Sequence, residues 1–486
     1  MSKNIRKFTS QAAYDAYKAA DGWDYPSVSF VETDIDSQVH YNNEFIMRWK
    51  TTDTNKVPSF YGEVSHDTFK NWVDHASRPC RVLKSDHTQQ DVYTVTSNGS
   101  VSDWSQFSKT DTNYLHMTRI QNINVGCFQD TSKGIKEIRF NFDKGCPDGF
   151  HKWFPNATAA DGSKLWGRYD ITAVTTTAQA GSDGINCASG LCHNPNLDGS
   201  HAYDPGINPD IEGGETSFGN WRADYILAGC KNVGGLAMTY WEYYVLTMIF
   251  SAYYGTFDTQ SVFHGLTNNY TTANAYGGAH QWTNGNTDVL MTPHGALTDA
   301  HHNEYQTGAD QGYRFMHIEN AIHGKQWIWG AGWSGKMTHG GGQYMMAFDD
   351  LKANAAATLT TANAEYTSGL TVPSGDTNIT NNEGTITGDQ PWGRTESKYV
   401  TDIDVYGVPC SIYLDGGSDY TKGVGGSTNG FYDAMWSYNM TSNFDRVAYL
   451  GGGSSGGAAC GGFARTFNRV AAYEDWYRRG RVTMNA

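Results

Sequence analysis

Histidine, cysteine, serine and carboxylate are the side chains here that could do chemistry, and their spacing limits what that chemistry is. His301, His302, His317, His323 and His339 fall within one stretch. A zinc hydrolase of the His-Glu-x-x-His kind needs two histidines one helical turn apart with a glutamate as base, and that pattern does not occur. Glu319 and His323 are four residues apart, but Gly324 follows at once and points to a loop. Glu319 beside His317 or His323 could be a catalytic carboxylate. No second carboxylate stands near it to share the work, so Glu319 and Asn320 read as buried polar groups that tie loops to backbone amides. The eight cysteines are dispersed, without a Cys-x-x-Cys pair. Cys187 and Cys192 could close a disulfide; His193 follows, but no second pair completes a zinc spacing. The remaining cysteines read as buried free thiols. Gly452-Gly453-Ser454-Ser455-Gly456 fits the form of a nucleophile elbow, yet that turn must lead into a helix, and Gly457 to Gly462 is a poor helix former. Asp415 and Asp419 flank Gly416-Gly417, short of the oxygen cage that calcium takes. Paired carboxylates of a polysaccharide depolymerase can come from distant positions, but the sequence gives no positive sign of them. We expect no catalytic centre, no metal and no cofactor.

Recognition chemistry is better supplied. The stretch Asn468–Arg479 holds Tyr473, Trp476 and Tyr477 beside Arg469, Arg478 and Arg479. Rigid aromatics and arginines among small residues are what a binding surface uses. Stacking by Tyr473, Trp476 and Tyr477, with hydrogen bonds from Arg465 and Asn468, would be the mode of contact. The same aromatics would also serve as ordinary core. Their position depends on the strands around them. Arg446–Leu450 reads as a strand running into Gly451-Gly452-Gly453, where glycine permits a corner. A small-residue loop, Ser454–Gly462, leads to a second run, Phe463–Phe467, and Gly480–Met484 closes the chain as a last strand. We expect these strands to complete one glycine-cornered sheet with the loop outside it.

The chain has 486 residues, enough for two to four domains. Its hydrophobic share of 39% supports real cores. Its charged share of 17% is low against about 25% for an average chain. Net charge is −15, which disfavours nucleic acid and anionic membranes as partners. Residues Met1–Ser10 are polar, so no export signal is expected there. The most apolar run, Tyr240–Tyr254, contains Glu242 and is too short to span a bilayer.

Along the chain, Ser10–Ala20 reads as a short helix with Ser10 as its cap, followed by strands at Pro26–Val31 and Gln38–Tyr41. Residues 1–42 are too few to bury a core alone, so we expect an attachment or oligomerisation element that packs on a partner, the alternative being an arm docked on its own domain. Residues 43–109 alternate in a β-like way, as in Cys80–Leu83 and Asp91–Val95, and read as a small β region or spacer. Within Ala237–His264, Trp241, Tyr244, Val245, Met248, Ile249 and Ala252 share one helical face while Phe250 and Tyr254 lie opposite. A helix so patterned is covered on more than one side. Asn354–Asn382, rich in Ala, Thr and Asn, reads as part of an insertion at about 350–390, helical in its first half.

Several of these pieces, in this order, resemble the C-type-lectin-like domains related to formylglycine-generating enzyme. Such domains occur on phage tail and fibre proteins, notably of phages of Bacteroides-type hosts, and as variable proteins of diversity-generating retroelements. The likeness lies in Leu115–Ile120, Gly149-Phe150-His151, Leu165-Trp166-Gly167-Arg168-Tyr169, Ala237–His264 as the main helix and the turn that follows it, and Ile318-Glu319-Asn320 with Gly324 and Trp327-Ile328-Trp329. It continues through Arg446–Gly453 to Gly480-Arg481-Val482. His317 stands where the family usually has glycine, and one extra residue separates Asn320 from Gly324. The family's oxidase needs a close pair of cysteines near its last strands; only Cys460 lies there, with Cys410 far upstream. The resemblance implies an α+β fold with one main buried helix and short antiparallel sheets over 110–486. Glu319, Asn320, Trp327, Trp329, Arg446, Gly452, Gly453, Gly480 and Arg481 would be its structural signature. It further implies a virion protein, a tail or head fibre that binds a bacterial surface glycan or protein without covalent chemistry. Such a chain would join other virion proteins through its N-terminal segment and form a homo-oligomer, for which a trimer suits a fibre. The alternative is a purely architectural virion protein, such as a decoration or connector protein, whose lectin-like domain packs on its neighbours.

Overall fold

The computed structural model describes residues 43–53, 56–91, 111–173, 185–188, 222–263, 287–288, 290–296, 312–322, 326–335, 342–360, 362–368, 397–415, 431, 433, 435–436, 446–451, 461–469, 471 and 480–486. It is an α+β protein of mainly antiparallel sheets, with one parallel pair between Met435–Trp436 and Arg465–Arg469, and five helices among the described residues. The N-terminal element over 1–42 lies outside them, as do 92–110 and 369–396.

Three sheets hold most of the strand residues among those described. The first has five strands in the order Ser59–Gly62, Glu44–Lys50, Ile135–Asn141, Asn124–Asp130 and Phe150–Lys152. The second has six: Leu236–Ala237, Val482–Asn485, Lys164–Gly167, Tyr114–Ile120, Ser77–Leu83 and Gln89–Asp91. The third also has six: Tyr366–Ser368, Gly342–Met346, Gln326–Gly335, Arg446–Leu450, Arg465–Arg469 and Met435–Trp436.

Helix Tyr240–Tyr254 is the hub. Thr239 caps it, accepting from the Glu242 amide at 3.3 Å, while Glu242 Oε2 accepts from the Thr239 amide at 2.8 Å. This reciprocal box fixes the first turn. Gly255, with φ 72°, closes the other end in the left-handed region that glycine tolerates. Every residue from Tyr240 to Ala252 is buried, so the apolar residues found on both faces of this helix in the sequence are matched by packing on all sides. Its aromatic residues join one core with Phe45, Trp49 and Phe69 from the start of the described chain and Phe463 from near its end.

That core corrects one expectation. Of the small β region or spacer expected over 43–109, the described residues 43–53 and 56–91 are strands and a helix, with the strands built into the first two sheets rather than standing apart. Glu44–Lys50 pairs with Ile135–Asn141, and Ser77–Leu83 with Tyr114–Ile120, each over seven residue pairs. A half-buried strand needs a partner on its edge and a layer on its apolar face, and a few short strands cannot supply both. The helix His66–His75 packs Phe69 against Phe45, ring centroids 4.2 Å apart, within the same core.

A second expectation fails in a related way. Arg446–Leu450 and Arg465–Arg469 do pair, but the terminal strand Val482–Asn485 joins the second sheet, between Leu236–Ala237 and Lys164–Gly167. The closing strands therefore belong to two sheets. In the 350–390 region the helix is Asp350–Ala353, and it stops where Asn354 Nδ2 donates to Asp350 O and Ala237 O. The alanine-rich residues after it are turn and bend, and Tyr366–Ser368 then pairs with the edge of the third sheet.

Candidate functional site

The base of the aromatic loop is the best-defined part of the proposed recognition region. The chain passes Ala471, whose carbonyl accepts from the Ala223 amide at 3.0 Å. It returns at Gly480, whose carbonyl accepts from the Ile171 amide at 3.1 Å. A Cβ on Gly480 would lie 2.7 Å from Ile226 Cγ2. Ala223 and Ile226 are one turn apart on the helix Ala223–Asn232, so both ends of the loop are pinned to one element. Arg481 locks the return. Fully buried, it donates from Nη1 to Gly167 O at 2.8 Å and from Nη2 to Asp170 Oδ1 at 2.8 Å and Glu319 O at 2.9 Å. Two parts of the sequence signature, Glu319 and Arg481, thereby meet. Tyr473, Trp476 and Tyr477 lie outside the described residues, as does the side chain of Asn468, whose backbone is in the strand Arg465–Arg469.

Arg465 must be removed from the ligand-contacting set. It is fully buried, with Nη1 donating to Gly462 O at 2.8 Å and its guanidinium 5.5 Å from the Tyr240 ring. The residue begins a strand against the hub helix, and the inward side of the pleat takes its side chain into the core.

The other signature residues serve architecture. Glu319 Oε2 accepts from both the amide and the hydroxyl of Thr287 at 2.8 Å, the loop-tying role its surroundings predict. Asn320 adopts φ 47° and donates its amide to Tyr313 O at 2.8 Å. Trp329 is buried and donates its amide to Met238 O at 3.2 Å. Trp327 pairs with Tyr449 and Arg446 with Trp333 along the third sheet. The glycine corner begins at Gly451, φ 88°, whereas Gly452 and Gly453 lie outside the described residues.

His317 gives the departure from glycine a physical meaning. With Met316 it forms the two-residue turn between Tyr313–Phe315 and Ile318–Glu319, and both have positive φ, 49° and 58°. Such turns favour glycine or asparagine, and a bulky residue there is strained by about 1–2 kcal/mol. The turn is held by the Met316 amide donating to His294 Nδ1 at 3.0 Å and the His317 amide to Pro293 O at 2.9 Å.

Tyr169, His116, Cys187 and Asp74, among the described residues, sit in hydrogen bonds that hold the fold rather than in a nucleophile and base pair. Tyr169 donates to Asp288 Oδ1 at 2.6 Å and Arg168 Nη2 to the same oxygen at 3.2 Å. Burial brings the His116 pKa down to about 4, leaving a neutral ring and a weak base at neutral pH. Cys187 is a buried free thiol whose Sγ donates to His116 O at 3.2 Å, and burial pushes its pKa up to about 11. Thiolate chemistry is thereby disfavoured. At the half-exposed Asp74, burial raises the pKa, but hydrogen bonds from His294 and Tyr253 outweigh it and leave the carboxyl below its ordinary value. Among the described residues, no three His, Cys, Asp or Glu side chains are placed to hold a metal ion. His301, His302, His323 and His339 lie outside those residues.

One cluster was missed by sequence reasoning. Lys164 Nζ donates to Glu242 Oε1 at 2.6 Å and to Asp350 Oδ2, and all three side chains are buried. Asn156 Nδ2 donates to Asp350 Oδ1 at 2.6 Å. Thr239-x-x-Glu242 is a capping-box spacing, the one local sign of an ordered carboxylate there. Lys164 and Asp350 carry no local sign, because only folding brings the strand Lys164–Gly167 and the helix Asp350–Ala353 together. No known family model matches the chain, and no curated protein matches it.

Proposed function

We propose that this chain is a virion protein of a phage of Bacteroides-type hosts, with a C-type-lectin-like C-terminal portion that attaches the particle to a glycan or protein on the bacterial surface. Binding is non-covalent and runs through the loop 468–479. The observation that carries this reading is the base of that loop. A segment bearing Tyr473, Trp476, Tyr477, Arg478 and Arg479 leaves and re-enters against one helix, and its return is fixed by three hydrogen bonds from buried Arg481. A fixed base lowers the entropy cost of holding the segment in one binding geometry. The aromatics stack on a sugar or apolar face and Asn468 supplies hydrogen bonds. Arg465 acts only from beneath, by holding its strand to the hub helix.

The test is adsorption of the fluorescently labelled chain to a panel of Bacteroides-type strains. Wild type is expected to bind a subset of strains. Trp476→Ala is expected to lose at least tenfold in apparent affinity with unchanged thermal melting. Unchanged adsorption of Trp476→Ala would overturn the loop's role. Binding to no strain, with the chain located in a subunit interface of the particle, would replace attachment by an architectural role.

A further inference from the structure

We propose that Lys164 and Asp350 condense to an intramolecular amide, with Glu242 carrying the proton. The amine of Lys164 lies against two carboxylates, Glu242 at 2.6 Å and Asp350 in direct contact, and none of the three reaches solvent. Each group is held by its element. Lys164 sits in a strand paired on both sides, opposite Ile120 and Asn485. Glu242 is fixed as the third residue of the capped helix, its second oxygen taking the Thr239 amide at 2.8 Å. Asp350 opens the helix Asp350–Ala353, and Asn156 holds its Oδ1 at 2.6 Å. Reactants fixed in this way react as though at very high concentration.

The bond changes balance. The ammonium of Lys164 gives one proton to Glu242, and the freed amine attacks Cγ of Asp350. Negative charge gathers on Oδ1, where the Asn156 amide donates to it. Glu242 returns its proton to Oδ2, which departs with a second proton from the nitrogen as water. One C–N bond forms and one C–O bond breaks, and nothing is oxidised or reduced. Burial pushes the Glu242 pKa up, which makes it a better proton acceptor than an ordinary carboxylate. Burial pushes the Lys164 amine down, but the two carboxylates outweigh it and keep its pKa above the ordinary value. Proton transfer is therefore the uphill step. Condensation removes a positive and a negative charge from an interior where both cost several kcal/mol to bury. The dry site keeps water from reversing it. The product ties the second sheet to the segment that follows the third sheet's strand Gly342–Met346.

The experiment is mass spectrometry of the full chain, denatured, with peptide mapping. The expected result is a mass one water below that of the sequence, with the Lys164 and Asp350 peptides recovered joined and trypsin failing at Lys164. Wild-type protein with the full mass and two separate peptides would overturn the proposal, leaving an ion pair. Glu242→Gln keeps the shape but cannot carry the proton; its linking is expected to slow on the order of 10²-fold, the usual worth of a positioned acid–base group. If that variant does not fold, Glu242→Asp takes its place, with the proton kept but drawn back by one methylene and slowing of tenfold or more expected. Linking at the wild-type rate in a folded variant would overturn the part given to Glu242. Both readouts are independent of any ligand.

Discussion

Two buried cations on the second sheet show how differently the same demand can be met. Arg481 precedes the terminal strand, and Lys164 lies in the strand beside it. Arg481 spreads its donors over two carbonyls and one carboxylate, joining Gly167, Asp170 and Glu319. Lys164 concentrates its hydrogen bonds on two carboxylates, Glu242 and Asp350. A guanidinium is planar, forked and permanently protonated, so it can only hold. An amine can lose its proton and become a nucleophile. One site fastens the base of a loop; the other has the parts to make a bond. The lesson is that a buried charge is not chemically informative until the acceptors around it are counted.

The comparison can be broken most severely at Arg481. Arg481→Ala removes a buried guanidinium from the Asp170 carboxylate and from the carbonyls of Gly167 and Glu319 and should cost about 3–5 kcal/mol, read as a lowered urea midpoint. A loss below about 1 kcal/mol would mean that the base does not depend on this residue. Lys164→Arg makes the second site resemble the first. It should keep an ion pair, abolish any joined peptide, and cost about 1–3 kcal/mol for the larger head in a packed core. Acid should weaken the Arg481 side of the molecule through His116. Its folded pKa is about 4 against about 6.5 unfolded, so the unfolded chain takes up a proton first as pH falls. Stability is then full above about pH 6.5 and declines toward pH 4, by about 3 kcal/mol from this one residue. Thermal melts across that window check it, and His116→Asn should flatten the slope. Gly480→Ala should cost about 1–3 kcal/mol, because its Cβ meets Ile226 at 2.7 Å. Trp476→Ala marks the small end on stability, within about 0.5 kcal/mol as for a surface change, while adsorption falls.

Much of the local structure was readable in advance. The strands at Arg446–Leu450 and Val482–Asn485 follow from alternating apolar residues bounded by glycine. Helix Tyr240–Tyr254 follows from its spacing and from Thr239 and Glu242 at its start. Glu319 as a loop tie follows from a lone carboxylate among aromatics. Arg465 was misplaced because alternation tells which residues share a face, not which face turns inward. For the β region or spacer over 43–109, alternation gives the strands of the described residues but not their partners, which lie beyond residue 109.

The order of residues alone settled the hub helix, the closing strands, the glycine that follows the aromatic stretch and the scarcity of charge. Periodicity, capping and turn preference act over a few residues, and those are written locally. Three-dimensional packing decided that the last strand leaves its neighbours for another sheet, that Arg465 faces inward, and that Lys164 meets Glu242 and Asp350. Those outcomes depend on pairing and burial between segments far apart in the chain, where the energy comes from surfaces that exist only once the sheets have come together.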